Sequence, residues 1–138
     1  RYITTKSRFC YNYFMTKQEA IKLIEVYGKA WEEQDPDLIC TIFTEDATYD
    51  DPHQEKNIGL DGIRAYWISK VIGEQKDIHF KIVNVWLDGD VVIAEWEALF
   101  TDTKRNMKIK MTEVAIFTTQ EDKFSSLREY YKTIKTEI

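Results

Sequence analysis

The sequence has few of the residues that build metal centres and disulfide frameworks. It contains two cysteines, Cys10 and Cys40, and two histidines, His53 and His79. It therefore has no CxxC pair and no cysteine/histidine cluster with the spacing of metal ligands. No glycine-rich loop offers a backbone cradle for a nucleotide phosphate. We expect no metal and no other cofactor.

Long apolar runs and an excess of basic charge are missing as well. No run approaches the roughly 18 apolar residues that a membrane-spanning helix needs, so a membrane is not an expected partner. Nineteen basic residues stand against 24 acidic ones, for a net charge of −5. An acidic surface repels phosphate backbones, so nucleic acid is not an expected partner either. We place the protein in the cytoplasm.

The length and the balance of residue types fit one globular domain. The chain has 138 residues, of which 43% are hydrophobic and 31% charged. The first fourteen residues contain three basic side chains and no acidic one, and Met15 follows them at a helix start. We therefore predict an N-terminal extension over residues 1–14, poorly ordered or vector-derived, and a single domain over 15–138. An acid-free start with arginine, serine and threonine also suits an organelle transit peptide, and this alternative stays open.

The remaining chain changes from helical to alternating periodicity. Thr16 and Glu19 predict a capping box at the start of a long amphipathic helix, and Asp35-Pro36 starts a second, short one. A short strand (47–51) and a third helix (61–72) follow. Four long strands with turn-rich connections complete the chain: 78–87, 91–101, 106–119 and 124–133. This order predicts an α+β fold, with three N-terminal helices packed on a curved, mostly antiparallel sheet.

Aromatic residues are abundant. They make up 14% of the chain, with four Trp, eight Tyr and seven Phe. Long twisted strands around a helix leave more space than side chains alone would fill. The surplus of aromatic rings therefore indicates that some of them form the walls of a pocket. The alternative, that the rings simply pack in the core, stays open at this point.

Three polar side chains fall on faces that are otherwise apolar. Tyr27 lies on the buried stripe of the first helix, Asp51 on the apolar face of the first strand, and Glu113 on that of the penultimate long strand. A buried carboxylate is costly unless it is paired, hydrogen-bonded or protonated, so these residues are a candidate site. The alternative is structural: Glu113 pairs with Arg128 or a lysine, Asp51 caps the following turn, and Tyr27 only packs.

Two runs of sequence resemble a known family. Residues 45–52 (EDATYDDP) and 62–67 (GIRAYW) are similar to the SnoaL-like and nuclear-transport-factor-2-like (NTF2-like) superfamily. The resemblance spans about residues 16–133 and implies a cone-shaped α+β fold with a pocket for a small hydrophobic molecule. It also implies a homodimer through the outer face of the sheet. Apolar side chains leave an interaction surface there, namely Val83, Val85, Leu87, Val114 and Ile116.

Within this superfamily, the resemblance to ketosteroid isomerases implies roles for the three polar residues. Asp51 immediately precedes a proline, as the general-base aspartate does, and Tyr27 stands at the separation of the oxyanion-hole tyrosine. Glu113 stands where the second oxyanion donor, an aspartate, is found. If the last strand aligns, Leu127, Glu129 and Tyr131 also face inward, and Glu129 replaces a small residue. The pocket would then be narrower or more polar than a steroid site.

These roles define an acid/base hypothesis, namely an isomerase, cyclase or dehydratase. Asp51 would remove a proton next to a carbonyl group, and Tyr27 with a protonated Glu113 would stabilise the developing oxyanion. The predicted ligand contacts are Trp31, Tyr49, Trp67, Trp96, Met111 and Tyr131.

Three alternatives stay open. His53, in a polar loop, either supplies a proton at the pocket mouth or is merely solvated. The second alternative is a non-catalytic ligand-binding or dimerisation domain, which would not need the three polar residues to converge. The third is epoxide hydrolysis. Epoxide opening requires an Asp-Arg-Asp set that activates water, and no arginine can be assigned to an inward face.

Overall fold

The computed structural model describes residues 13–138. Most of the predicted extension, residues 1–12 with Cys10, lies outside the described residues, so that prediction stays a prediction. Tyr13 begins the described part, and its hydroxyl donates to the Glu19 carboxylate at 2.8 Å.

The first helix, α1 (Lys17–Glu33), begins with the predicted capping box. The Glu19 backbone N–H donates to the Thr16 hydroxyl at 3.1 Å, and the Thr16 N–H donates to the Glu19 carboxylate at 2.8 Å. The helix ends at Gln34, whose φ of 54° lies in the left-handed region. The Gln34 backbone N–H donates to carbonyls of the preceding turn, so both ends of α1 are satisfied locally.

Two shorter helices follow. Helix α2 (Pro36–Cys40) begins at Asp35, which caps it as predicted. Helix α3 (Gly59–Tyr66) starts two residues earlier than predicted and continues directly into a π-helical segment, Trp67–Ile72. Within residues 13–138, no helix is long and apolar enough to cross a membrane.

Six strands form one sheet in the described chain, in the order β2-β1-β6-β5-β4-β3. Neighbours are antiparallel except β1 and β6, which run parallel. The predicted α+β architecture is therefore confirmed, with helices first and long strands last. The strands are β1 (Phe43–Asp50), β2 (Asn57–Ile58), β3 (Gln75–Asp88), β4 (Val91–Asp102), β5 (Met107–Gln120) and β6 (Lys123–Glu137).

The inner face of the sheet forms the core with α1. Alternate residues of β4 and β5 are buried as the sequence pattern predicts, because successive side chains in a strand point to opposite faces. On β6 the inner face carries Leu127, Glu129 and Tyr131, which confirms their predicted direction.

A bulge in β3 corrects part of the predicted outer face. The register with β4 shifts between Ile82 and Asn84, and an extra residue in a strand moves every following side chain to the other face. Val85 is therefore buried and Leu87 half-buried, so their predicted placement on the outer face is wrong. Trp86 takes that position instead and is 46% exposed. Val83, the extra residue at the shift, is exposed as predicted, as is Val114, while Ile116 is half-buried.

Helix α1 approaches β3 closely at Gly28. A β-carbon at this position would overlap the ring of Phe80, so only glycine allows the present separation of helix and strand. The Phe80 ring also packs on Tyr27 and Trp31, with centroids 6.1 and 6.0 Å apart.

Side-chain hydrogen bonds join the end of α1 to the segment that precedes β3. The Gln34 side-chain amide donates to the carbonyls of Val71 and Gln75, at 2.9 and 2.7 Å. The Trp31 indole N–H donates to the Gln75 side chain at 2.7 Å. The end of α1, the π-helical segment and the start of β3 are thereby held together.

Candidate functional site

A cavity of about 310 Å³ is bounded by α1, the α3–π segment and the inner face of the sheet. It opens to solvent where its wall carries the exposed side chains His53, Arg105 and Lys135. Eight of the residues predicted for the site lie on its wall: Tyr27, Trp31, Tyr49, Asp51, Trp67, Met111, Glu113 and Tyr131.

The three polar residues singled out in the sequence meet in this cavity. Tyr27 comes from α1, Asp51 from the residue after β1, and Glu113 from the middle of β5, and each is at most 2% exposed. The geometry that the acid/base hypothesis requires is therefore present, and the roles assigned to these residues stay predictions.

Asp51 accepts three hydrogen bonds. The hydroxyls of Tyr66 and Tyr131 donate to its two oxygens at 2.7 and 2.9 Å, and the His53 backbone N–H donates at 2.9 Å. The bond from His53 is the turn cap expected if Asp51 has only a structural role. The bonds from the two tyrosines are not expected for such a role. Donors of this kind stabilise a carboxylate without supplying a positive charge.

Tyr27 takes part in a second group of hydrogen bonds. Its hydroxyl shares a hydrogen bond of 2.7 Å with that of Tyr49 and donates to the Glu129 carboxylate at 3.3 Å. Burial raises the pKa of the Tyr27 phenol, and the charges of Glu129 and Glu113 raise it further. Tyr27 therefore stays protonated and is available as a donor, and Tyr49 is a polar partner as well as an aromatic wall.

Glu113 and Glu129 form a buried acidic pair on the inner face. In the β5–β6 register Glu113 faces Tyr131 and Ala115 faces Glu129, so the two acids are diagonal neighbours. They are 1% and 6% exposed. No N–H or O–H group of the described residues donates to either oxygen of Glu113, so the expected ion pair with Arg128 or a lysine is not formed.

The two acids share protons unequally. Burial, then the charge of Glu129, raises the pKa of Glu113 well above its ordinary value. Burial also raises the pKa of Glu129, to about 7, while the neighbouring Glu113 carboxyl opposes that rise. Two close carboxyl groups without a cation cannot both ionise easily. The proton therefore lies on Glu113, and Glu129 is the carboxylate of the pair.

Trp96 corrects one predicted ligand contact. It lies directly opposite Glu113 on the neighbouring strand but does not line the cavity. Its ring centroid is 4.8 Å from that of Tyr27, which covers it, and 5.1 Å from that of Phe80. Trp96 is a core residue behind the site.

The cavity wall is more polar than the hydrophobic pocket expected from the sequence. Lys70 and Glu74 form an ion pair of 3.3 Å on it, and Arg105 pairs with Asp102 at 3.1 Å. The strand pattern predicts no inward arginine, and the position of Arg105 on the wall corrects that point. Among the described residues, however, Arg105 forms no ion pair with Asp51, so the set needed for epoxide opening is not assembled.

His53 lies at the cavity mouth. It is exposed, and its ring stands edge-on to that of Tyr131 with centroids 5.2 Å apart. This position is compatible with both interpretations of His53. No group of three or more potential metal ligands occurs within residues 13–138.

Tyr66 is the functional candidate that sequence reasoning missed. Periodicity assigns it to the buried side of the third helix as an apolar contact, although it binds Asp51 through its hydroxyl. The available signal was a hydroxyl on a buried stripe, the same signal that identified Tyr27. Its partner depends on how α3 packs on β1, and periodicity does not report that packing.

The family follows from a comparison of the whole domain. The family model of the SnoaL-like domain matches residues 24–127, which is more than half of the chain. The chain belongs to the SnoaL-like family. The resemblance noted in the sequence is thereby confirmed, including the NTF2-like superfamily to which these domains belong. No curated protein is similar to this SnoaL-like chain at a significant level.

Solved structures share the fold of this SnoaL-like domain. A protein from Catenulispora acidiphila with a ketosteroid isomerase-like fold, in complex with trimethylamine, has a TM-score of 0.73 and 19% identity, covering 80% of this chain and 85% of its own. An LEH-like epoxide hydrolase of M. tuberculosis has a TM-score of 0.69 and 17% identity, covering 83% and 84%. SalBIII, an epoxide hydrolase/cyclase-like enzyme of pyran ring formation in salinomycin, has a TM-score of 0.71 and 24% identity, covering 84% and 92%.

Proposed function

We propose that this SnoaL-like domain is an acid/base enzyme that removes a proton next to the carbonyl group of a small organic substrate. Isomerisation, cyclisation and dehydration of a carbonyl compound through an enolate share this first step. The observation that carries the proposal is the convergence of Asp51, Tyr27 and Glu113 on one cavity, with the Glu113 carboxyl free of protein donors among the described residues. A similar fold in a cyclase-like enzyme supports it.

In the proposed reaction Asp51 is the general base. One of its oxygens accepts the proton from the carbon next to the carbonyl group, and the electron pair of the C–H bond moves to give an enolate. The enolate oxygen accepts hydrogen bonds from the phenol of Tyr27 and the protonated carboxyl of Glu113. Return of the proton from Asp51 to another carbon completes an isomerisation.

The hydrogen bonds to Asp51 set a condition for this step. The phenols of Tyr66 and Tyr131 occupy both oxygens of the carboxylate. A substrate must displace one of these phenols before an Asp51 oxygen can accept its proton. Tyr66 and Tyr131 are therefore positioning residues in this mechanism.

The test is proton exchange on carbon. A panel of small ketones, lactones and keto acids is first screened for thermal stabilisation, and hits are incubated in D₂O and followed by ¹H NMR. Asp51→Asn should slow exchange by about 10²–10⁴-fold, the usual contribution of a general base. Asp50→Asn is the matched control, because this neighbouring acid lies on the opposite face of β1. Full exchange activity in Asp51→Asn would refute the assignment.

A non-catalytic ligand-binding domain is the second candidate. The three hydrogen bonds that hold Asp51 favour it, because they fix the carboxylate in a wall rather than leave it free. The same experiment separates the two candidates. Ligands that bind in the cavity while none of them exchanges its α-proton would favour the binder.

We also propose that the domain is a homodimer through the outer face of the sheet. Six large apolar side chains are exposed there: Val83, Trp86, Leu99, Val114, Tyr130 and Ile134. Apolar patches of this kind usually mark interfaces. Sedimentation equilibrium should give a dimer, and Trp86→Glu with Ile134→Glu should give a monomer. Ile58→Glu, on the exposed strand β2, is the control and should leave the mass unchanged.

A further inference from the structure

The inner part of the cavity has an uncompensated acidic character. Asp51, Glu113 and Glu129 are all buried on its wall. Two of the basic side chains on the wall, Lys70 and Arg105, are paired with Glu74 and Asp102. The remaining two, Lys135 and His53, are exposed at the mouth. Among the described residues, no ion pair reaches any of the three inner acids.

The Glu113 carboxyl has no hydrogen-bond partner among the described residues. It is 1% exposed and lines the cavity, and neither of its oxygens is hydrogen-bonded. Buried polar groups are almost always satisfied, and an unsatisfied one costs about 1–3 kcal/mol. A ligand that forms a hydrogen bond with this carboxyl would remove this cost.

The walls around the acids are aromatic. Tyr27 stands edge-on to Trp31 and Trp67, with centroids 6.2 and 5.6 Å apart, and Tyr49 packs on Tyr66 at 5.0 Å. All five rings line the cavity. Tryptophan and tyrosine rings attract organic cations through their electron-rich faces, and the attraction grows when the site is shielded from water.

We propose that the ligand of this cavity carries a protonated amine or a quaternary ammonium group, which binds Glu129 within the surrounding aromatic rings. The substrate class is then an amino ketone or a related organic cation. This inference rests on the proposed function, because it takes the same cavity as the reaction site. It adds that the substrate carries a positive charge.

The cation also completes the proposed mechanism. Without ligand, the Tyr27 hydroxyl donates to the Glu129 carboxylate. An ammonium group that pairs with Glu129 takes over the neutralisation of this charge. The Tyr27 hydroxyl is then free to bind the substrate carbonyl oxygen together with the Glu113 proton, and the nearby positive charge stabilises the enolate.

Binding of a cation should depend on pH through Glu129. Six titratable groups surround Glu129. Four come from other helices and strands: Tyr27 of α1, Tyr49 of β1, Tyr66 of α3 and Glu113 of β5. The other two are Tyr131 of its own strand β6 and Asp51, which follows β1. The four tyrosines have raised pKa values and stay neutral. Glu129, whose pKa is raised to about 7, is ionised at pH 8 and protonated at pH 5.5.

The experiment compares four probes of similar size in binding titrations on the full chain: benzyltrimethylammonium, benzylamine, benzyl alcohol and benzoate. At pH 8 both cations should bind at least about tenfold more tightly than benzyl alcohol, and benzoate most weakly. The quaternary probe keeps its charge at every pH. A several-fold loss of its affinity at pH 5.5 therefore reports the protein.

Two variants locate the effect. Glu129→Gln should reduce the preference for cations at pH 8 to within about threefold of benzyl alcohol and remove its pH dependence. Glu97→Gln, on the outer face of β4, makes the same change of charge and should keep the preference. If Glu129→Gln does not fold, the loss of benzyltrimethylammonium affinity at pH 5.5 in the wild-type chain serves as the test of Glu129.

Opposite results would overturn the inference. These are equal affinity for benzyl alcohol and the cations at pH 8, no binding of either cation at millimolar concentration, or an unchanged preference in Glu129→Gln. Failure here is separable from failure of the proposed function. Asp51-dependent exchange on neutral ketones without any preference for cations would refute only the inference. Tight cation binding without exchange on any amino ketone would refute only the enzyme.

Discussion

The acidic pair predicts an unusual dependence of stability on pH. A glutamate in the unfolded chain ionises near its ordinary pKa of 4.5, whereas Glu129 in the folded protein holds its proton up to about 7. Between these two values the folded state binds more protons than the unfolded state, so stability falls as the pH rises. Each pKa unit corresponds to about 1.4 kcal/mol, and the interval amounts to about 3 kcal/mol for Glu129. The raised pKa of Glu113 acts in the same direction.

The measurement is urea unfolding followed by tryptophan fluorescence at pH 5, 6, 7 and 8. The free energy of unfolding should decrease by about 2.5 kcal/mol over this range through Glu129, and Glu113 adds to this decrease. Glu129→Gln cannot ionise and should make the profile shallower, leaving the part that Glu113 contributes, while Glu97→Gln should reproduce the wild-type slope. If the free energy of unfolding of the wild type stays constant or rises between pH 5 and 8, Glu113 and Glu129 do not form a buried pair without a cation.

Two further predictions concern the packing and the start of α1. Gly28→Ala gains about 1 kcal/mol of helix propensity but forces the Phe80 ring aside, which typically costs about 1–3 kcal/mol. Urea unfolding should therefore show that Gly28→Ala lowers the free energy of unfolding by about 1 kcal/mol. In a Phe80→Ala background the same substitution should raise it. A higher free energy of unfolding for Gly28→Ala alone would contradict the close approach of helix and strand. Thr16→Ala removes one half of the capping box and should lower the free energy of unfolding by about 1 kcal/mol. Thr41→Ala, at the exposed end of α2, removes the same side-chain atoms and serves as the comparison. An unchanged midpoint for Thr16→Ala would mean that the first turn is held by other contacts.

The sequence predicts much of the inner face because alternation in a regular strand is independent of its neighbours. Glu113 and Glu129 face inward for this reason. The pattern alone assigns Glu113, and the resemblance to the family supplies the direction of Glu129. The same rule fails on β3. The shift between Ile82 and Asn84 is a property of the pairing with β4, and nothing in the local alternation marks it.

The contacts inside the site depend on packing between distant elements and are harder to predict. Tyr66 meets Asp51 only because α3 packs on β1, and Trp96 is hidden only because the Tyr27 ring lies over it. Periodicity places each side chain on a face but does not say which of two inward rings is nearer to the empty space. The π-helical turn at Trp67 is a further example, because periodicity predicts one regular helix over residues 61–72.

The Gln34 amide fixes one part of the cavity wall. Its side chain holds the carbonyls of Val71 and Gln75, two residues that line the cavity, so widening the cavity on this side would break two hydrogen bonds. Residues 52–56, with His53 on the wall, are exposed to solvent and lie outside helices and strands. Changes of length or sequence in this loop would therefore alter the entrance at a lower cost to the fold than changes around Gln34.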